Sequence, residues 1–343
     1  MQFGVRLPHS GPLASPEALR TIAQRAEELG FAAVLTHDHV NWRLEDKYHF
    51  YCGGLELVDG HPRPTEFFDA METMAYLAGM TTRIHFVAAA IVLAWRHPLA
   101  LARLALTLHH LSQRRFIMGV CVGNVPGDFD VLGVPWDNRA AIAEEHLEVL
   151  MRALRADGPF DFAGQYVRFS GAELRPAAPD LPVWYGGTAP RGLRRAARMC
   201  NGLLVGGPPA YLADLGRKTA KLRAEYGRGD EPFALAILGL TGIGETDRDA
   251  EEVAARSLQE RERAAWMSKA RRFFSERDAA HIGGPETLIR RFRAYADAGV
   301  SFAGLGFVGH SLADVTERMV LFAETVIPAF APAGSAAAKG AAS

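Results

Sequence analysis

Short apolar runs alternate with segments of helical periodicity along almost the whole chain. Eight apolar runs predict buried strands: Phe3–Leu7, Phe31–Thr36, Ile84–Leu93, Phe116–Cys121, Pro182–Tyr185, Leu203–Val205, Phe233–Leu240 and Phe302–Phe307. The segments that follow them predict helices: Ser15–Leu29, Thr65–Gly79, Pro98–Leu111, Arg139–Arg155, Pro190–Met199, Pro209–Tyr226, Asp247–Arg277, Pro285–Ala298 and Leu312–Val326. A helix after each strand is the order of an α/β protein of the (β/α)8 TIM-barrel class. A doubly wound sheet is the alternative, although it rarely needs eight such units.

Two segments interrupt the strand–helix rhythm and predict insertions into the barrel. The first is a long loop, His37–Pro64, after the second strand, and the second is a hairpin, Phe160–Arg175, with Gly164-Gln165 at its turn. We expect residues 1–330 to form one barrel domain. The small residues of 331–343 predict a disordered tail.

Composition excludes several classes of protein. The chain has 343 residues and a net charge of −1, which argues against nucleic acid as a partner because phosphate binding needs a basic excess. Its three cysteines form no Cys-x-x-Cys pair, so neither a disulfide framework nor a thiolate zinc site is expected. The N-terminus lacks signal-peptide character, and the longest apolar run, Ile84–Trp95, is too short and too interrupted to span a membrane. We therefore expect a cytoplasmic protein with a small-molecule substrate.

The end of the second predicted strand carries the strongest candidate for catalysis. Thr36-His37-Asp38-His39 places three ionisable groups at a barrel mouth, where active sites of this fold lie. Imidazole titrates near neutral pH and a neighbouring carboxylate can hold its tautomer, so the segment suits proton transfer. A solvated polar loop is one alternative. A metal site at His37 and His39 is another, but strands three to six supply no further ligands, so no metal is predicted.

Glycines follow three neighbouring predicted strands. The fourth strand ends in the segment Gly119–Asn124, and its glycines, Gly119 and Gly123, allow a flat ligand to approach the backbone. Gly186-Gly187 and Gly206-Gly207 end the fifth and sixth strands, each directly before a helix that begins with proline. Such turns expose backbone N–H groups at a helix N-terminus, which favours a phosphate. Ordinary turns between strand and helix are the alternative.

The sequence resembles the luciferase-like monooxygenase superfamily, whose barrel enzymes use FMN or the deazaflavin coenzyme F420. The similar stretches are RHPLALARLALTLHHLSQRRFIMGVCVGNVPGDFDVLGVPWDNR, LPVWYGGTAPRGLRRAARMCNGLLVGG and GGPETLIRRFRAYADAGVSFAGLGF. The resemblance as a whole runs from about Phe3 to Phe322, which is nearly the whole chain. The resemblance implies a luciferase-like (β/α)8 barrel with a flavin or deazaflavin ring at its mouth.

The resemblance also implies roles for individual residues. His39, with Asp38 as its orienting carboxylate, matches a pair that deazaflavin members place near the reactive carbon. Ala88 and Ala89 match a bulge against the ring that sometimes contains a non-proline cis peptide. The cofactor-binding residues implied in total are Ala88, Ala89, Val122, Gly123, Asn124, Tyr185, Gly186, Gly187, Thr188, Gly206 and Gly207. Trp42, His9 and Trp95 are the expected substrate contacts.

Three hypotheses of function follow from the resemblance. The first is F420-dependent hydride transfer to or from a small organic substrate, with His39 as the proton donor or base. The second is an FMN-dependent monooxygenase that uses oxygen and a flavin reductase partner. The third is a non-catalytic flavin-binding barrel, because Asn124 stands where some deazaflavin dehydrogenases carry a proton-donating glutamate. The resemblance further implies a homodimer.

Overall fold

The strands of the protein form a closed parallel barrel. In the computed structural model, the structure describes residues 1–40, 57–58, 61–62, 66–255 and 280–331. The barrel strands are β1 (Gln2–Arg6), β2 (Ala33–Thr36), β3 (His85–Val92), β4 (Phe116–Cys121), β5 (Val183–Gly186), β6 (Gly202–Val205), β7 (Ala234–Ile243) and β8 (Phe302–Phe307). Each strand pairs in parallel with its neighbours in the order β6-β5-β4-β3-β2-β1-β8-β7, and pairing of β6 with β7 closes the ring. The predicted (β/α)8 barrel is confirmed.

Helices follow the strands on the outside of the barrel. They are α1 (Pro16–Glu28), α2 (Ala70–Ala78), α3 (Pro98–Leu111), α4 (Pro126–Leu132), α5 (Arg139–Arg155), α6 (Pro190–Met199), α7 (Pro209–Glu225), α8 (Pro285–Asp297) and α9 (Leu312–Thr325). Residues 247–255 are also helical, and the rest of the predicted helix up to Arg277 lies outside the described residues. The predicted start of the second helix at Thr65 is wrong, because Asp69 caps α2 by accepting from the backbone N–H groups of Met71 and Glu72.

Two additions to the barrel were not predicted from the sequence. The short helix α4 lies between β4 and α5 and begins with Pro126. A three-residue strand, His281–Gly283, pairs in parallel with the carboxyl end of β7. Both are too short for their periodicity to separate them from loops.

Alternation along the strands divides the core into an interior and an outer layer. Inward side chains form a compact cluster inside the barrel: Ala33, Leu35, Val87, Trp184, Leu204, Ala236 and Phe302. Their neighbours on each strand, such as Val5, Phe86 and Leu305, pack outwards against the helices in a much larger cluster. Because the fold buries both faces of every strand, the strand sequences are almost continuously apolar.

The predicted hairpin is confirmed and is fastened to α5. Its strands are Phe160–Ala163 and Arg168–Ala172, with the turn at residues 164–167. The Glu145 carboxylate on α5 accepts from the backbone N–H groups of Gln165, Tyr166 and Val167. A second antiparallel pair joins Leu57–Val58 to His61–Pro62. The other residues of the predicted His37–Pro64 loop after residue 40, and the predicted tail after residue 331, lie outside the described residues.

Arg115 ties the amino-terminal end of the barrel together. Its guanidinium donates to the backbone carbonyls of Ser112, Ile84, Ala78 and Thr81 and to the Thr81 hydroxyl. Its position away from the strand carboxyl ends, together with these hydrogen bonds, makes it a structural residue. In the part of the chain that the structure describes, no helix is long and apolar enough to cross a membrane.

Candidate active site

The Asp38 side chain at the end of β2 is fixed to β3. Its carboxylate accepts hydrogen bonds from the two terminal guanidinium nitrogens of Arg96, at 2.7 and 2.9 Å. It also accepts one from the backbone N–H of Val92, at 2.9 Å. Arg96 also donates to Asp69, the cap of α2. Burial by itself lowers the pKa of Arg96, but the hydrogen bonds and charges of Asp38 and Asp69 outweigh it and raise that pKa. Asp38 therefore acts as a brace between β2, β3 and α2.

His39 is oriented by a carboxylate that the sequence did not assign to it. Its Nδ1 lies 2.9 Å from Oδ2 of Asp128, and the two side chains are 5% and 0% exposed. The expectation that Asp38 orients His39 is wrong, because the carboxylate that hydrogen-bonds to His39 Nδ1 is that of Asp128. The Asp38 carboxylate accepts hydrogen bonds from Arg96 and Val92 instead. This hydrogen bond joins the segment that follows β2 to α4, which follows β4, and β3 lies between those two strands.

Two further histidines lie beside His39. His37 receives a hydrogen bond at Nδ1 from the Arg6 guanidinium at 2.9 Å, and its ring centroid is 5.5 Å from that of His39. His9 is fully buried, and its ring nitrogens lie 3.2 Å from the carbonyl of Leu7 and 2.9 Å from that of His37. Burial lowers the pKa of His9 to about 4, so this ring is neutral at physiological pH.

Strand β3 is irregular where it reaches the barrel mouth. Its pairing with β4 shifts register between Ala88 and Ile91, and the peptide bond between Ala89 and Ala90 is cis. Ala89 and Ala90 both pack against the interior cluster, whereas Ala88 points into the outer layer. Gly119 permits the bulge, because a Cβ there would lie 2.0 Å from the Ala88 carbonyl oxygen. The structure thus has a bulge where the resemblance implied one, with the cis bond one residue further along.

Small residues from three neighbouring strands form a flat floor beside the bulge. A Cβ at Gly186 would lie 3.2 Å from the Cys121 Cβ and 3.7 Å from the Ala90 Cβ. Cys121 and Gly186 are both half-buried. Burial raises the pKa of the Cys121 thiol to about 12, which argues against a nucleophilic thiolate. The floor can therefore accept a planar ring without displacing a side chain.

The glycine pairs lie at two adjacent helix N-termini. Gly187 and Gly207 have φ angles of 146° and 137°, which favour glycine, and they precede α6 and α7. Neither helix has a side-chain cap, since Ala189 and Pro208 occupy the cap positions. Their first N–H groups are therefore available to an anion, with Thr188 half-buried and Gly206 exposed nearby.

The remaining predicted site residues occupy different environments. Tyr185 points into the outer layer, where its hydroxyl accepts from Arg195 at 3.2 Å, so only its backbone faces the mouth. Val122 and Gly123 are half-buried after β4, whereas Asn124 is exposed. Trp95 lies close to His39, with ring centroids 6.3 Å apart. Trp42 lies outside the described residues.

Aromatic rings enclose the His39 imidazole. Phe67 makes edge contacts with the rings of His9, His37 and His39 at 5.5, 5.5 and 5.8 Å. On the other side, Trp95 contacts Phe129 at 5.6 Å. Such surroundings exclude water from the histidine and strengthen its hydrogen bond to Asp128. In chemical terms, the site combines a buried imidazole held by a carboxylate, a floor of small residues and two helix N-termini without side-chain caps. Such groups suit proton transfer, a planar ring and an anion, respectively.

Sequence reasoning missed Asp128 and Arg96. Asp128 is one of two acidic residues on a short helix, and the sequence does not indicate that it is the buried one. Arg96 follows the third strand as part of an Arg-His-Pro-Leu helix start, so it looks like a turn residue. A signal was nevertheless present, because both lie just after barrel strands, where functional side chains concentrate.

Comparison with known proteins agrees with the fold. The family model for luciferase-like monooxygenase matches residues 1–301. An uncharacterized protein of Mycobacterium tuberculosis is 30% identical over 226 residues, covering 65% of this chain and 76% of that protein. Among solved structures, monooxygenase RslO1 from Streptomyces bottropensis has a TM-score of 0.76 at 22% identity, covering 96% of this chain and 100% of that one. The coenzyme F420 dependent tetrahydromethanopterin reductase from Methanopyrus kandleri has a TM-score of 0.73 at 20% identity, covering 96% and 99%.

The family model and the fold together identify an oxidoreductase of the luciferase-like class. The chain belongs to the luciferase-like monooxygenase family. The resemblance recognised from the sequence is therefore confirmed, as is its implied fold.

Proposed function

We propose that this protein transfers a hydride between bound coenzyme F420 and a small organic substrate, with His39 exchanging the accompanying proton. The observation that carries the proposal is the His39 imidazole, which the buried Asp128 carboxylate holds at 2.9 Å at the same end of the barrel as the floor of small residues. The site needs one proton-transfer group beside a planar cofactor, and it has that group in a pocket wall of aromatic rings.

The residues present fit such a cofactor. The floor of Ala90, Cys121 and Gly186 leaves room for a flat ring, and the uncapped N-termini of α6 and α7 suit a phosphate. When bound, the deazaflavin supplies hydride transfer chemistry. The chain's own residues bind and orient: the helix ends hold the phosphate, Phe67 and Trp95 limit access of water, and His39 holds or releases a proton.

The enclosure of His39 also supports a second candidate, an FMN-dependent monooxygenase. Oxygen chemistry needs a site from which water is excluded, and the aromatic contacts of Phe67, Trp95 and Phe129 provide that environment. Similarity of the fold to monooxygenase RslO1 is compatible with this candidate. It would require a flavin reductase as partner.

Cofactor binding tests the proposal. The purified protein is titrated with each cofactor without oxygen, and binding is measured by fluorescence quenching. We expect tight binding of coenzyme F420 and much weaker binding of FMN. Gly186→Val should weaken binding at least about tenfold, because its side chain fills the floor and tenfold corresponds to about 1.4 kcal/mol. His39→Gln should bind nearly as well as the wild type, because it changes proton exchange and not the floor.

The outcomes separate the hypotheses. Preference for FMN would replace the proposal with the monooxygenase, and binding of neither cofactor would support a non-catalytic barrel. Equal F420 affinity of Gly186→Val and the wild type would contradict the assigned floor. With bound reduced F420, a panel of carbonyl and imine substrates without oxygen should reoxidise the coenzyme in the wild type and far more slowly in His39→Gln.

A further inference from the structure

Asp128 is a fully buried carboxylate with no role in the expectations drawn from the sequence. Its side chain is 0% exposed, and Oδ2 lies 2.9 Å from Nδ1 of His39, which belongs to a different strand end. A buried charge is costly unless it is paired and hydrogen-bonded. The hydrogen bond to His39 is one of the contacts that offset the cost of burying this carboxylate, and it joins α4 to the segment after β2.

We infer that Asp128 is the positioning residue that fixes His39 with Nδ1 protonated, so that Nε2 is the atom that exchanges a proton with the substrate. This inference rests on the proposed role of His39. An ionised carboxylate can only accept a hydrogen bond, so Nδ1 must donate. The neutral ring then presents its lone pair at Nε2, and the protonated ring is stabilised by the negative charge of Asp128.

The neighbouring charged groups do not take over this task. The Asp38 carboxylate accepts hydrogen bonds from Arg96 and from the Val92 N–H, so its negative charge is paired with the Arg96 guanidinium. The His37 ring, whose centroid lies 5.5 Å from that of His39, accepts a hydrogen bond from the Arg6 guanidinium at Nδ1. His9 hydrogen-bonds to backbone and contributes no negative charge.

The geometry also sets where the reacting atom of the substrate lies. Nδ1 points towards α4, so Nε2 lies on the opposite edge of the ring. A proton-bearing substrate atom that reaches Nε2 would therefore approach the ring from the side that faces away from α4.

Nuclear magnetic resonance of histidine-labelled protein tests the inference without cofactor or turnover. We expect ¹⁵N shifts of His39, assigned by their loss in His39→Gln, to show a proton on Nδ1 in the neutral ring. In Asp128→Asn, the pH at the midpoint of the His39 titration should fall by about 1–3 units. The reason is that the variant lacks the nearby negative charge that favours the protonated ring. Asp128→Leu should also abolish the fixed tautomer.

A control on the same helix separates local from general charge effects. Asp130→Asn removes an exposed carboxylate of α4 and should leave the tautomer and the midpoint of His39 unchanged. In the cofactor-loaded enzyme with a turned-over substrate, Asp128→Asn should lower kcat about 10²-fold with much less change in KM, and shift the pH profile in the same direction as the midpoint.

Two results would overturn the inference. One is a neutral His39 with its proton on Nε2 in the wild type, and the other is an unchanged midpoint in Asp128→Asn. If Asp128→Leu fails to fold, the nearly isosteric Asp128→Asn decides. A correct tautomer combined with failure to bind coenzyme F420 would contradict the proposed function and leave the Asp128 assignment standing.

Discussion

His281 lies on the short strand beside β7, where burial removes water from its ring. It is 1% exposed, and neither ring nitrogen has a hydrogen-bond partner among the residues that the structure describes. Burial, with a smaller contribution from the Arg291 charge, lowers the pKa of His281 to about 3. The folded protein therefore requires a neutral ring, whereas the unfolded chain can protonate it below its ordinary pKa.

Replacing His281 should make the protein less sensitive to acid. In the wild type, this ring lowers the free energy of unfolding as pH falls from about 6.5 to about 3, because the unfolded state binds the proton and the folded state does not. His281→Leu removes that contribution, so urea unfolding across this window should show a flatter pH dependence. His310→Leu, at an exposed position, is the control, and an identical slope in wild type and His281→Leu would contradict the assignment.

Residues at the site differ in how far the sequence could predict them. His39 was identifiable because an ionisable triplet at a barrel strand end is uncommon and chemically apt. Asp128 was not, because the choice between Asp128 and Asp130 as the inward residue depends on how a seven-residue helix packs. Asp38 was assigned to the wrong neighbour, since adjacency in sequence along an extended segment turns successive side chains in different directions.

At the scale of elements, the bulge in β3 depends on the close approach of β4. Gly119 is the residue that allows this approach, because its backbone lies against the Ala88 carbonyl. Any side chain at this position collides with backbone, which cannot move aside as a flexible side chain can. The shape of the floor is therefore determined jointly by two strands.

Gly119→Ala should destabilise the protein and weaken cofactor binding. The added Cβ would lie 2.0 Å from the Ala88 oxygen and 2.4 Å from Leu204, so the strands must shift, which costs about 1–3 kcal/mol for overpacking. Gly158→Ala, where no atom lies within 4 Å of the added Cβ, should change stability by less than about 0.5 kcal/mol. Chemical denaturation measures both, and equal stabilities of the two variants would show that β3 and β4 adapt freely.

The barrel elements could largely be predicted because each strand is buried on both faces. Continuous apolar runs mark such strands and are separated by long amphipathic segments, so both the order and the class of fold follow from the pattern. The start of α2 could not be predicted, because Thr65 and Asp69 are both good caps in sequence. Asp69 is selected by its second oxygen, which pairs with Arg96 from a distant part of the chain.

At the scale of the whole molecule, α2 and α3 present apolar side chains to solvent. Leu104 and Leu111 are 38% and 67% exposed and lie seven residues apart, so they share one face of α3. Tyr76 on α2 and Met80 in the turn directly after that helix are 41% and 37% exposed, and α2 packs beside α3. Because the barrel is closed, its eight strands have no free edges, and the helices around it are candidate surfaces for association.

We expect these two helices to form the interface of a homodimer. Analytical ultracentrifugation should find a dimer for the wild type, and Leu111→Glu should shift it towards monomer, because a charge buried at an apolar interface is costly. Val131→Glu, which alters an equally accessible apolar residue on α4, should remain dimeric. A monomeric wild type would contradict the expectation.

The Arg96 brace has a consequence for how the family can diversify. By joining Asp38 to Asp69, it anchors the chain on both sides of residues 41–65, whatever number of residues lies between the anchors. Lengthening a segment between fixed ends adds little entropic cost, about 0.6 kcal/mol for each doubling. Evolution could therefore exchange this stretch for one of different length and composition while the Asp38–Arg96–Asp69 contacts at its two ends are kept.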